Sequence, residues 1–181
     1  METTATAQSA ELTQKQADRN IRKVALTALA GTTIEWYDFF LYGTAAALIF
    51  PTLFFPADMP PFMALIASFS TFAIGFLARP LGGIIFGHFG DSVGRKKVLV
   101  IALLIMGVAT TAIGLLPSFQ TIGVAAPLLL VLLRFVQGLA IGGQWGGATL
   151  LVTESAPPAK RGFYGAFAQA GAPAGVILAN L

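Results

Sequence analysis

Five long apolar runs constrain this chain more than anything else in it. They cover about residues 24–50, 62–89, 98–116, 122–152 and 163–181. Each reaches the roughly 17–25 residues that an α-helix needs to cross the hydrocarbon core of a bilayer. Lipid offers a backbone no hydrogen bonds, so runs of this length predict membrane helices. The segments between them, PTLFFPADMPP, GDSVGRKK, PSFQ and ESAPPAKR, are rich in residues that break helices or form turns. The second and fourth runs exceed a minimal span, so tilted helices or protruding ends are expected.

Composition agrees. Only 10% of the residues are charged and 56% are hydrophobic, against about 25% charged in a soluble domain. The fold class is therefore all-α: a polytopic membrane protein with about five transmembrane helices. There is no cysteine, which removes disulfides and thiolate metal sites. The single His88 and the scattered acids have no metal-ligand spacing. Residues 1–20 are polar and lack a short apolar core with a cleavage site, so they read as a cytoplasmic tail and not as a signal peptide. That leaves 21–181 as the membrane bundle. The fifth run reaches the last residue with no polar flank, so the bundle is expected to be truncated.

Basic residues orient the runs. Lys15, Arg19, Arg22 and Lys23 precede the first, Arg95, Lys96 and Lys97 lie between the second and third, and Lys160 and Arg161 lie between the fourth and fifth. The other two connections contain no Lys or Arg. By the positive-inside rule the N-terminus and these basic connections are cytoplasmic, and the expected location is the plasma (inner) membrane.

Glu35, Asp38, Arg79 and Arg134 lie inside the runs. A charge at the bilayer centre costs about 2.5–3.5 kcal/mol on the insertion scale, so each needs a partner or a polar cavity. Glu35 falls roughly 16 Å into the first run, close to the midplane at ~1.5 Å per residue. Asp38 is one helical turn further along the same face. Arg134 can reach a similar depth from the fourth run, and Arg79 lies nearer the cytoplasmic half of the second. Structural ion pairs account for these charges. So does a polar pathway for a proton or charged solute, in which two nearby carboxylates hold a proton between them. Tyr37, Trp36, Tyr42, Gln137, Gln144 and Trp145 add polar or aromatic groups nearby. Gly138, Gly142 and Gly146, Gly143 and Gly147, and Gly171 and Gly175 each repeat at a spacing of four, the small-xxx-small pattern of helices in close contact. Pro173 can bend the fifth helix.

The segment GHFGDSVGRKKVL resembles the cytoplasmic loop of the major facilitator superfamily, with Gly87, Asp91, Gly94, Arg95, Lys96 and Lys97 matching its signature. RFVQGLAIGG and GAPAG resemble that family's fourth- and fifth-helix patterns. GTTIEWYDFFLYG narrows the resemblance to the metabolite:proton symporters, whose members carry shikimate, 2-oxoglutarate, citrate, or proline and betaine. The resemblance implies two six-helix bundles with substrate between them, of which this chain would supply an incomplete N-terminal one. It also implies that Arg95 and Asp91 act as a cytoplasmic gate latch, and that Arg95 contacts Glu154. The family usually has GGE where this chain has GGQ, and Gln144 cannot titrate, so proton coupling would fall to Glu35 and Asp38.

The expected function is proton-coupled symport of a small organic acid or zwitterionic metabolite. Glu35, Asp38, Arg134, Tyr37, Gln137, Arg79 and Gln144 would form the coupling and substrate cavity, with an arginine fork holding a solute carboxylate. Expected partners are the solute, protons, lipid and the missing C-terminal half, with no nucleic acid and no cofactor. The alternative is a non-transporting assembly module or channel-like oligomer. No Ser–His pair with an orienting acid supports an enzyme.

Overall fold

A computed structural model describes the backbone of residues 2–181, and side chains from residue 16 onward except 17, 145, 146 and 148. Trp145 and Gly146 therefore lie outside the described side chains. The helices are α1 (Glu2–Leu48), α2 (Phe50–Leu53), α3 (Pro61–Val93), α4 (Arg95–Gly114), α5 (Phe119–Ile122), α6 (Ala125–Ser155) and α7 (Arg161–Asn180), with a 3-10 turn at Pro158–Lys160. Among the described residues there are no strands. The five long helices occur in the order the apolar runs predict. Three of them, α3, α4 and α6, are long and apolar enough on their own to cross a membrane. α1 carries Glu35 and Asp38, and α7 is rich in glycine and alanine, which dilutes the hydropathy of both.

Two boundaries differ from the sequence reading. α1 continues back through the polar tail to Glu2, since polar residues that clear the apolar layer can extend a helix into water. The basic connection between the second and third runs is not an open loop. Gly87 to Val93 form the last turns of α3, and Arg95, Lys96 and Lys97 form the first turn of α4. The break is Gly94 alone, whose φ of 106° is readily reached only by glycine.

Helix faces are sorted by size. On α3 the buried positions through Gly82 are Ala64, Ser68, Thr71, Gly75, Ala78 and Gly82, alternating steps of four and three. Large side chains such as Leu77 and Ile84 point outward, as do Leu104 and Val108 on α4. Small residues inward and large aliphatics outward is the arrangement of helices whose surroundings are as apolar as their core. The protein is a multi-pass membrane protein.

The small inward residues let backbones meet. A Cβ added to Gly142 would lie 2.0 Å from the carbonyl oxygen of Arg79, so α6 lies directly on α3 there. Gly175 allows the same approach of α7 to α1, where an added Cβ would lie 2.6 Å from Cβ of Trp36. The spacing-of-four glycines thus mark contact faces, as their pattern predicts. At one end of the bundle an aromatic cluster of Tyr42, Phe50, Phe54 and Phe55 joins α1 and α2 to Ile113, Ala126 and Leu130. At the other, Ile21 and Ala25 pack with Val152, Ala156 and Tyr164. The basic residues gather at this second end: Lys23 and Lys96 line one cavity, and Arg22 and Lys160 another.

Candidate functional site: a polar cluster inside the bundle

Between the two apolar ends, α1 and α6 turn polar stripes toward each other. On α1, Glu35, Asp38, Tyr42 and Ala46 are buried; on α6, Leu130, Arg134, Gln137, Ile141 and Gln144 are buried. Both stripes follow the three-and-four spacing of a single helix face. The polar residues therefore fall inward for the same geometric reason as their apolar neighbours.

Asp38 and Arg134 form the centre. Arg134 Nη1 lies 3.7 Å from Asp38 Oδ2, with side chains 2% and 8% exposed respectively. Gln137, one turn beyond Arg134, links the two. Its Oε1 accepts from Arg134 Nη1 at 2.9 Å, and its Nε2 donates to Asp38 Oδ2 at 3.3 Å and to Thr110 Oγ1 at 2.6 Å. The Thr110 hydroxyl is within reach of two acceptors, Asp38 Oδ1 at 2.8 Å and the Met106 carbonyl at 2.9 Å. It has one proton, so it serves one at a time. A buried carboxylate thus receives donors from α4 and α6 and faces a guanidinium, which meets the cost of holding polar groups away from water.

The guanidinium is held by rings as well. Its carbon lies 3.8 Å from the centroid of Tyr42 and 5.0 Å from that of Phe72, a cation–π arrangement. The Tyr42 hydroxyl is fixed by Thr71 at 2.7 Å. Gly75 makes room for the side chain: a Cβ there would lie 2.9 Å from Arg134 Nε.

Glu35 has different surroundings from Asp38, although both share the inner face of α1. It lines a small cavity with Trp36, Phe39 and Arg79, and Arg79 feels its charge. The Arg79 guanidinium carbon lies 4.4 Å from the Phe76 centroid and 5.6 Å from that of Phe39. Arg134 forms its ion pair with Asp38. α1 brings both acids to one face, where Asp38 meets Arg134 and Gln137 of α6 and Thr110 of α4, and Glu35 shares cavity linings with Arg79 of α3 and Gln144 of α6. Gln144 is buried beside Glu35, where the two share the lining of two cavities. Tyr37, 38% exposed, faces away from this cluster.

At the basic end, Arg95 Nη1 donates to Glu154 Oε1 at 2.5 Å, the contact implied by the family resemblance, and Arg95 Nη2 stands 3.8 Å from Asp91 Oδ1. Asp91 sits one turn before Arg95 across the Gly94 break, and Glu154 is at the end of α6. Gly87 has open space around it, and Lys96 and Lys97 are exposed.

Two contributors escape the sequence reading. Thr110 and Thr71 hold Asp38 and Tyr42 in place, yet a threonine in an apolar helix usually just bonds its own backbone. Depth was the available signal: Thr110 lies about as far into its run as Glu35 does into the first.

Comparison with known proteins supplies the family. The chain is 55% identical to an inner membrane metabolite transport protein (YhjE) of Escherichia coli strain K12, over 97% of this chain and 40% of that protein. It is 54% identical to the shikimate transporter of the same strain, over 88% of this chain and 36% of that protein. To the proline/betaine transporter of Salmonella typhimurium it is 44% identical, over 89% of this chain and 32% of that one. No solved structure matches. The chain thus spans about two fifths or less of the length of these curated relatives. The profile of the sugar (and other) transporter family matches residues 23–181, nearly the whole of the described bundle. The chain belongs to that family, a family of transporters within the major facilitator superfamily.

Proposed function

We propose that this chain forms the N-terminal bundle of a proton-coupled symporter that moves a small carboxylate-bearing metabolite, an organic acid or a zwitterion, across the inner membrane. The N-terminus, the α3–α4 turn and the α6–α7 connection face the cytoplasm in this reading, because the basic residues gather there. The observation that carries it is Asp38, buried within the bundle and held by groups on two other helices. The Thr110 hydroxyl, with a second acceptor within reach, can follow a change in the charge of Asp38.

The proposed cycle follows from the hydrogen bonds. With Asp38 ionised, Thr110 donates to its Oδ1 and Gln137 to its Oδ2, while Arg134 is balanced by the carboxylate. When Asp38 takes up a proton, its charge is lost and Thr110 can turn to the Met106 carbonyl. Arg134 is then without a counter-charge, and a solute carboxylate becomes the anion best placed to supply one. Shikimate, proline and betaine, the solutes named for two relatives, all carry a carboxylate. Arg95, Asp91 and Glu154 would tie α3, α4 and α6 together at the cytoplasmic side in one state of the cycle. The remaining helices of the carrier would complete the cavity, since alternating access requires two bundles moving about one site.

The test is uptake by the complete carrier in proteoliposomes. Asp38→Asn is expected to abolish accumulation against a gradient while solute exchange persists, whereas the parent accumulates solute when the outside is acidified. Concentrative, pH-dependent uptake by Asp38→Asn would place the coupling group elsewhere.

A further inference from the structure

Glu35 and Gln144 stand between two cavities. One of about 260 Å³ runs along α1, α4 and α6, and a second of about 90 Å³ lies between α1, α6 and α7. Asp38 lines neither of them. The smaller cavity is walled by Thr32, Glu35, Trp36, Gln144, Thr149 and Gln169 along with Ala168, a polar lining in an otherwise apolar bundle. Gln144 is only 4% exposed, and its Oε1 has no hydrogen-bond partner among the described residues. A buried acceptor left unmatched calls for an explanation, because such groups are almost always paired.

We infer that this smaller cavity is a solute subsite that receives a hydrogen-bond-donating group, a hydroxyl or an ammonium, and that Gln144 Oε1 accepts from it with Glu35 alongside. Size and chemistry decide this between them. The cavity, about 90 Å³ against about 260 Å³ for its neighbour, suits one polar end of a metabolite. Gln144 contributes a carbonyl oxygen unmatched among the described residues, so the missing element is a donor. An anionic end would meet Glu35 unfavourably and leave Gln144 Oε1 unmatched. A carboxylate is better served near Arg134, so the solute would lie along the inner face of α1 with its two ends in different clusters. The inference rests on the transporter reading, but it concerns solute selection and not proton coupling.

The experiment is exchange by the complete carrier in proteoliposomes with no imposed proton gradient. The probes are radiolabelled shikimate, with hydroxyl donors, proline, with ammonium donors, and glycine betaine, a carboxylate whose quaternary nitrogen has none. Exchange of shikimate or proline in preference to betaine is expected. Gln144→Leu should raise the half-saturation concentration of the preferred solute on the order of tenfold, the loss of one hydrogen bond to a buried partner. Gln144→Glu, which keeps an acceptor, should retain the preference. Gln144→Met, closer in length to the native side chain, makes the same test if the leucine variant does not insert. Betaine exchanged as well as the donor-bearing probes, no exchange of either donor-bearing probe, or a preference that survives the apolar variants would overturn the subsite. Failure of the coupling proposal appears separately, as accumulation that survives Asp38→Asn.

Discussion

Arg134 and Asp38 approach to 3.7 Å between α6 and α1, and Gln137 bonds to both. At that separation the pair is held by charge and by a shared amide, not by a direct hydrogen bond. Each residue therefore depends on the other and on Gln137 for its place in the core.

Removing one charge should cost far more than removing both. Arg134→Leu leaves Asp38 buried opposite no cation and is expected to destabilise the bundle by about 3–5 kcal/mol, whereas replacing both residues with leucine should recover most of the loss. The apparent melting temperature of the purified complete carrier in detergent checks this. Equal losses in the single and double variants would mean that the pair does not set the stability of the core.

Thr110→Val keeps the shape of the side chain but removes the hydroxyl that donates to Asp38 and accepts from Gln137. A loss of about 1–3 kcal/mol is expected, the cost of leaving buried partners unmatched. Accumulation should fall with it, and Thr110→Ser should restore both. Full accumulation by the valine variant would show that the hydroxyl has no part in coupling.

The ion pair at the basic end behaves differently. Arg95 and Glu154 are substantially exposed, and exposed pairs contribute little to stability. Arg95→Glu should leave the melting temperature nearly unchanged while slowing transport. The charge swap Arg95→Glu with Glu154→Arg should recover part of the rate. A swap that stays as slow as the single variant, measured by initial rates of uptake, would remove this contact from the transport cycle.

Glycines along the helices should divide by what faces them. Gly142→Ala would drive a Cβ against the Arg79 carbonyl, and backbone cannot move aside as a side chain can, so a loss of about 1–3 kcal/mol or more is expected. Gly107 has nothing within 4 Å of an added Cβ. Gly107→Ala in the middle of α4 should be neutral or stabilising by up to about 1 kcal/mol. Parallel thermal melts of the two variants distinguish them.

Much of this architecture was legible along the chain because a bilayer leaves a polypeptide few choices. Apolar length called for helices, and the five long helices appear in order. Basic residues predicted which ends lie together, and Lys23 and Lys96 do share one cavity. Glycines at a spacing of four predicted contact faces, and Gly142 and Gly175 lie on them. These properties depend on composition and period within one helix, so neighbouring residues suffice to express them. The charges inside the runs were equally visible, and their cost in lipid marked them as paired or functional.

Pairing between helices was decided only by tertiary structure. Glu35 and Asp38 lie one turn apart on one face, and nothing local separates their roles. Which helix each meets depends on how α3, α4 and α6 are stacked and staggered against α1. That stacking gives Asp38 to Arg134, Gln137 and Thr110, and sets Glu35 beside Arg79 and Gln144. Thr110 gains its place from a partner 72 positions away. The open helical break at Gly94 follows the same rule: α3 and α4 absorb the polar segment on either side, and Arg95 meets Glu154 because α6 ends beside that turn. Sequence fixes what a residue can bond to; only the packed helices bring the partner within reach.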